Sequence, residues 1–287
     1  MRVLRYLVVV LYFLVATAPL VWMGLSSLKH RDDSIRPHAN FLPALSAPAT
    51  PTDPRFEATL AAYRQLGEVH AGAQQSFWSH LGNSVLIGVL STLASVALGT
   101  CCAYGFSRFR VPGAKDWLFF ILSTRFLPPL AVVVPVLIMY RTLDLQGTHA
   151  GLIVLYTVFN LSLAVWLMKG FLDDIPRAFE EAALVDGYSR AQAFVRVVLP
   201  EARTGMAVTA VFCLISAWNE YGFAMTLNSS GAITVPAYFA GLQGNIEGMP
   251  WPQIAAGALL FVAPIVVFTV LVRKNLLRGM TFGTIKQ

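Results

Sequence analysis

Apolar residues in this chain fall in long uninterrupted runs, not in the alternating or one-sided patterns that build soluble strands and helices. A bilayer core about 30 Å thick needs about 20 apolar residues in helical form, and six stretches reach or approach that length. Tyr6 to Leu28 and Leu81 to Ser107 carry no charge. Trp117 to Tyr140 is interrupted only by Arg125, and Ala150 to Met168 is again free of charge. Thr204 to Leu227 holds Glu220 near one end, and Gln253 to Val272 completes the set. The pattern predicts an all-α integral membrane protein of about six transmembrane helices. Residues 1–28 form the first helix, 29–80 an external loop, 81–273 a core holding helices two to six, and 274–287 a tail. Within the core lie a charged connection, 171–203, and an almost uncharged one, 228–253.

Composition agrees. Of 287 residues 56% are hydrophobic and 13% charged, with mean hydropathy +0.62; a soluble domain carries about 25% charged residues. The net charge of +6 does not point to nucleic acid, because the basic residues sit between apolar runs and not along one face. Cys101 and Cys102 are adjacent and Cys213 stands alone, so neither a disulfide nor a metal spacing is expected. The first run begins after Arg2 and Arg5, as a signal peptide would. Its apolar core is too long, however, and Pro19 to Trp22 is no small-residue cleavage site, so it is read as a retained helix.

Lys and Arg near the segment ends set orientation. The amino terminus, the second-to-third connection, the fourth-to-fifth connection and the tail hold 14 of the 21 basic residues. Both termini are therefore expected on the cytoplasmic side. The 29–80 segment, rich in proline and containing His30, His38, His70 and His80, is expected outside. Its histidines have no ligand-like spacing and read as solvated surface, and Glu57 to Glu68 reads as one short amphipathic helix.

The connection between helices four and five carries the most information. Asp174 is placed to cap a first helix, Pro176 suits its first turn, and Gly187 can stop it in the left-handed conformation. Ser189 and Gln192 fit a capping box that starts a second helix, and Pro200 is expected to end that helix near Leu199. On the first helix Phe179, Ala182 and Ala183 share a face flanked by Glu180 and Glu181. Small residues beside a carboxylate suit close docking against another protein; the competing reading is an amphipathic helix resting on lipid headgroups.

Here the sequence resembles a known family. Glu181-Ala182-Ala183, three residues, Gly187, nine residues, Val197, one residue, Leu199-Pro200 is similar to the E-A-A-x3-G-x9-I-x-L-P loop of transmembrane subunits in binding-protein-dependent ABC importers. Val197 stands where isoleucine is usual. Asn83-Ser84, the run Ala103 to Phe109, Arg125 with Pro128 and Pro135, Trp218-Asn219-Glu220 and the tail Leu277 to Gly283 resemble the carbohydrate branch, of the maltose-type second permease. The resemblance implies type I ABC importer topology in the cytoplasmic (inner) membrane of a bacterium. It also implies a division of labour with a second permease, an ATPase dimer that grips the loop, and an external solute-binding protein that delivers a carbohydrate-like solute. ATP and Mg would belong to the ATPase. The chain itself has no G-x-x-x-x-G-K-[ST] phosphate loop, so it is expected to be a transport subunit without enzymatic activity or a cofactor of its own. Glu181, Ala182, Ala183, Gly187, Leu199 and Pro200 are the coupling residues it implies.

Ionisable and polar groups at membrane depth usually face an interior or an aqueous path. Arg125, Tyr156, Asn160, Trp218, Asn219 and Glu220 are accordingly candidates for the substrate path, against snorkelling for Arg125, an interfacial position for Glu220 and helix packing for Tyr156 and Asn160. Pro128, Pro129 and Pro135 are expected to bend helix three or free its carbonyls. The 228–253 connection has only Glu247 as a charge but is rich in aromatics, glycine and proline. Exposed apolar groups at that density mark an interaction site, with a re-entrant stretch packed on its own helices as the alternative. The resemblance to maltose-type permeases, whose corresponding loop enters the binding protein's cleft, implies that Tyr238, Gln243, Gly244 and Asn245 contact the binding protein. The tail from Asn275 is predicted to lie against the ATPase. A secondary transporter or channel for a small polar solute is the rival function.

Overall fold

The computed structural model describes residues 2–35, 38, 40–44, 53–68, 75–228, 231–242 and 249–281. The first helix, α1 (Arg2–Ser27), is apolar on every side, with Leu4, Tyr6, Leu11 and Phe13 all exposed. Such a helix suits a membrane rather than a soluble surface. After it come α2 (Arg31–Ser34), β1 (Leu42–Ala44), β2 (Arg55–Glu57) and α3 (Ala61–Gln65), with β1 and β2 parallel and Pro43 opposite Phe56. The helix expected from Glu57 to Glu68 is thus shorter: Phe56 is fully buried and Glu57 pairs with Ala44 as strand, which leaves only Ala61–Gln65 for helix. Lys29 anchors this segment. It is buried, donates to Asn40 Oδ1 at 2.7 Å, and lies over the rings of Trp22 and Phe56. Burial pushes its pKa below the usual lysine value, with Asp33 opposing that shift.

The long helix α4 (Phe77–Arg108) is followed by α5 (Ala114–Ser123), a 3₁₀ turn (Thr124–Phe126) and α6 (Pro129–Thr142). α5 and α6 together replace the single third helix: they meet at 93°. The cause is local. A proline pushes the residue before it out of the helical region, and both Leu127 (ψ 120) and Pro128 (ψ 127) are extended ahead of Pro128 and Pro129. Next are α7 (His149–Asp173), α8 (Arg177–Val185), α9 (Arg190–Ala193), a π-helical turn (Phe194–Val198) and α10 (Leu199–Trp218). The chain then forms α11 (Gly222–Leu227), α12 (Val235–Gly241) and α13 (Trp251–Thr281). The fifth apolar stretch therefore ends at Trp218, and α11 is a separate short helix. Among the described residues five helices are long and apolar enough to cross a membrane, and the bent pair makes a sixth candidate.

Two compact units divide the chain: Met1–Leu81 with Tyr238–Pro264, and Gly82–Ala237 with Ile265–Gln287. In the first, Phe77 stacks on Phe239, and His80 is buried with its ring 4.7 Å from Tyr238. His80 is therefore core and not solvated surface, held where an aromatic neighbour covers it. In the second, α7 and α10 pack along each other. α4 and α7 approach so closely at Gly99 that a Cβ there would lie 2.6 Å from that of Ala164. Ile87, Tyr140, Leu152, Tyr156, Ala217 and Phe223 fill one end of this core, and Ala103, Tyr104, Met168, Leu172, Val198 and Ala202 the other.

Candidate functional site

The 171–203 connection folds as the paired-helix unit its sequence predicts, with two corrections. Asp174 closes α7 and does not cap α8; Pro176 holds the N-cap position with an extended ψ of 130 and no side-chain cap. The proline disfavours helix at Ile175, so the next helix begins only beyond it. Gly187 terminates α8 at φ +88, a backbone state open to glycine at little cost. The Ser189–Gln192 capping box is present in both directions, Ser189 N–H to Gln192 Oε1 at 2.8 Å and Gln192 N–H to Ser189 Oγ at 3.3 Å. The second correction concerns Pro200, which does not stop the helix: Arg190 to Trp218 is continuous. The π-helical turn immediately before it, Phe194–Val198, widens the ladder where the ring would otherwise meet the preceding carbonyl.

α8 sits on the end of α4. Glu180 is 5% exposed; its carboxylate accepts from Tyr104 Oη and from Arg108 Nε, the latter at 3.1 Å. The Arg108 guanidinium also reaches Ile175 O at 3.0 Å and Ser107 Oγ at 3.1 Å. Ser107 Oγ donates to Asp173 at 2.7 Å, Arg177 donates to Ser107 O at 2.8 Å, and Lys169 pairs with Asp173. Tyr104 packs between Phe109 and Phe194. Sequence reasoning placed Glu180 only as a flank of the apolar face. The signal that could have found it was Tyr104 with Ser107 and Arg108, polar groups gathered at one end of an apolar run.

The opposite face of α8 is open. Ala178, Glu181, Ala182 and Val185 recur at helical spacing and are exposed, Val185 at 87%. Phe179 is exposed beside them, whereas Ala183 is buried, so the predicted Phe179–Ala182–Ala183 face divides between the two sides. Gly187 and Pro200 are exposed and Leu199 is half-buried.

The six path candidates make two clusters in the second unit. Arg125, beside the break in the bent pair, donates to Phe159 O at 3.2 Å, Asn160 Oδ1 at 3.4 Å and Ser216 Oγ at 3.1 Å. Asn160 is buried and donates to Cys213 O at 3.2 Å. Glu220 accepts from Tyr156 Oη at 2.7 Å and from the backbone N–H groups of Phe223 and Ala224 at 2.9 and 3.2 Å. It therefore caps α11. Trp218 is buried, with a Cβ on Gly88 projected 3.3 Å from its ring, and Asn219 is exposed and donates to Ile215 O. Of the six, Arg125 and Asn219 are exposed on this chain, Glu220 is half-buried, and Tyr156, Asn160 and Trp218 are buried.

At the other end of α4, Asn83 donates to Ile233 O at 3.0 Å and its Oδ1 lies 2.8 Å from His149 Nε2. Ser84 Oγ accepts from Val235 N–H at 2.9 Å. Ala232, Thr234, Val235 and Ala237 are buried, so part of the 228–253 connection packs on its own helices. Tyr238 is half-buried and its phenol pKa is pushed up by that burial. Gln243, Gly244 and Asn245 lie outside the described residues, as does the tail beyond Thr281. Among the described residues no group of three or more His, Cys, Asp or Glu could hold a metal ion.

Residues 95–281 match the family described as the binding-protein-dependent transport system inner membrane component. The chain belongs to that family. The permease is 30% identical over 268 residues (93% of this chain, 90% of the relative) to the probable ABC transporter permease protein y4oR of Sinorhizobium fredii. It is 34% identical over 212 residues (73% and 77%) to the trehalose transport system permease protein SugB of Mycobacterium tuberculosis. It is 27% identical over 285 residues (99% and 93%) to the sulfoquinovosyl glycerol transport system permease protein SmoH of Agrobacterium fabrum. Among solved structures, a chain of a bacterial ABC transporter involved in the import of the acidic polysaccharide alginate shares its fold. That match has a TM-score of 0.70 and 21% identity, covering 95% of each chain. The permease is thus a transport subunit, multi-pass in a bacterial inner membrane, and in such systems ATP hydrolysis belongs to a separate subunit. The family implies a partner permease, an ATPase and a solute-binding protein.

Proposed function

We propose that this permease, paired with a second permease subunit, forms the path by which a sugar or sugar-like solute enters the cell. An external solute-binding protein delivers the solute, and an ATPase dimer, which binds the ATP and Mg, drives its passage. The observation that carries the reading is α8: a helix anchored along one edge to α4 and left open along the other, with Glu181, Ala182 and Val185 exposed. An ATPase groove gripping that face has a firm lever to push. The sugar class rests on relatives named for trehalose and sulfoquinovosyl glycerol transport and on one named for diacetylchitobiose uptake, DasC of Streptomyces coelicolor, 26% identical over 286 residues.

Sidedness follows from the same reading. The α8 end of α4 faces the cytoplasm with both termini, and the Asn83 end, with 29–80 and 228–253, faces outward. Tyr238 and the Gln243–Gly244–Asn245 tip then meet the binding protein, Arg125 and Glu220 flank the path, and the tail rests on the ATPase. Truncating one partner of an interfacial charge pair costs roughly 2–5 kcal/mol. Glu181→Lys and Gly187→Asp are therefore expected to leave the complex assembled while abolishing uptake of labelled trehalose and related disaccharides by cells expressing the importer. Normal uptake in both variants would refute the coupling role.

A further inference from the structure

Glu180 is buried in an ion pair that the docking face does not need. Its two partners, Tyr104 and Arg108, lie one turn apart on α4 and more than seventy residues away in sequence. The same helix end also holds the chain on both sides of Pro176, through Arg108 to Ile175 O and Arg177 to Ser107 O. α8 is separated from α7 by Asp174–Ile175–Pro176, with the extended ψ at Pro176 breaking the helical path. α4, by contrast, is unbroken from Phe77 to Arg108. From Arg108 it rises about 1.5 Å per residue, so its length to Asn83 is about 37 Å. There Asn83 and Ser84 hold Ile233 and Val235 by hydrogen bonds of 3.0 and 2.9 Å. One helix is thus gripped at one end by the coupling helix and at the other by the 231–237 segment.

We propose that Glu180 is a positioning residue for coupling: it locks α8 onto α4, so that α4 carries the motion of the docked loop across the membrane to the 231–237 segment. The proposal rests on the coupling role of α8 given above. A carboxylate that merely filled space could be replaced without changing how α8 and α4 move; a latch could not.

The test is a distance measurement in the assembled importer (both permeases and the ATPase dimer) in lipid nanodiscs. Spin labels are placed on the native, exposed Cys101 of α4 and on Asp186→Cys at the end of α8, with the complex's other cysteines replaced. In the otherwise wild-type chain the distance distribution should be the same without nucleotide and with ATP plus vanadate. Glu180→Gln, and the paired Arg108→Met with Glu180→Leu that removes the latch without stranding a charge, should each give a broader distribution that shifts with nucleotide. A wild-type distance that changes with nucleotide would overturn the proposal, and so would variants whose distributions match the wild type. If the paired variant does not assemble, Glu180→Gln decides; failure of both to assemble would make the contact a folding element only and overturn the latch. Because no solute is added, absence of sugar uptake by the wild-type complex would defeat the proposed substrate class and leave this result standing.

Discussion

Glu180 and Glu181 are adjacent in sequence and face opposite ways, because each helical residue turns about 100° from the last. Glu180 is buried against Arg108, and Glu181 faces out. Removing one partner of a buried pair costs about 3–5 kcal/mol, so Glu180→Ala should lower the thermal unfolding midpoint of the purified complex, whereas Glu181→Ala should leave it in place. Equal midpoints would contradict the assignment. Glu220 makes a second case. With its carboxylate shared by Tyr156 and the first turn of α11, Glu220→Ala leaves a buried phenol unpaired, a loss of about 1–3 kcal/mol. Fluorescence-monitored melting should register that loss even if solute never touches the residue. The role of neither carboxylate was legible beforehand. The partners of Glu180 and the Tyr156 contact of Glu220 are 64 to 76 residues away, and helical spacing reports only near neighbours.

At the scale of elements, what the sequence announces is what local chemistry decides. The apolar runs became the long helices, and Ser189 with Gln192 became the capping box, because each depends on residues within a few positions of one another. Pro128-Pro129 announced a bend in the same way, though its 93° angle depends on how α5 and α6 then pack. Pro200 misled for the complementary reason: a proline usually stops a helix, and only the π-helical turn before it, invisible to pattern, lets Arg190–Trp218 run on. That turn contains one residue more than an α-helical path would, so its removal should rotate α9 relative to α10. Deleting exposed Val195 is expected to abolish transport at normal expression, while Val195→Ala should leave transport within about two-fold of the wild type. Uptake by the deletion variant at wild-type rates would show that the turn does not set the angle of the loop. The Gly99–Ala164 approach is similarly local in effect; in membranes small residues let helix backbones touch, so Gly99→Leu should prevent stable assembly, seen as loss of the intact complex on size-exclusion chromatography.

For the whole molecule, the account joins an exposed α8 face at one end of α4 to the 231–237 segment at the other. It assigns transport to this permease and hydrolysis to its partner. The rival, a carrier driven by an ion gradient, makes the opposite demand on energy. The most direct measurement is therefore uptake of labelled trehalose and related disaccharides into proteoliposomes. These contain this permease, its partner permease and the ATPase dimer, with binding protein and substrate outside and ATP inside. The account predicts accumulation that needs internal ATP and the binding protein, persists when proton and sodium gradients are collapsed, and disappears with Glu181→Lys. Accumulation without ATP that follows an ion gradient would contradict it.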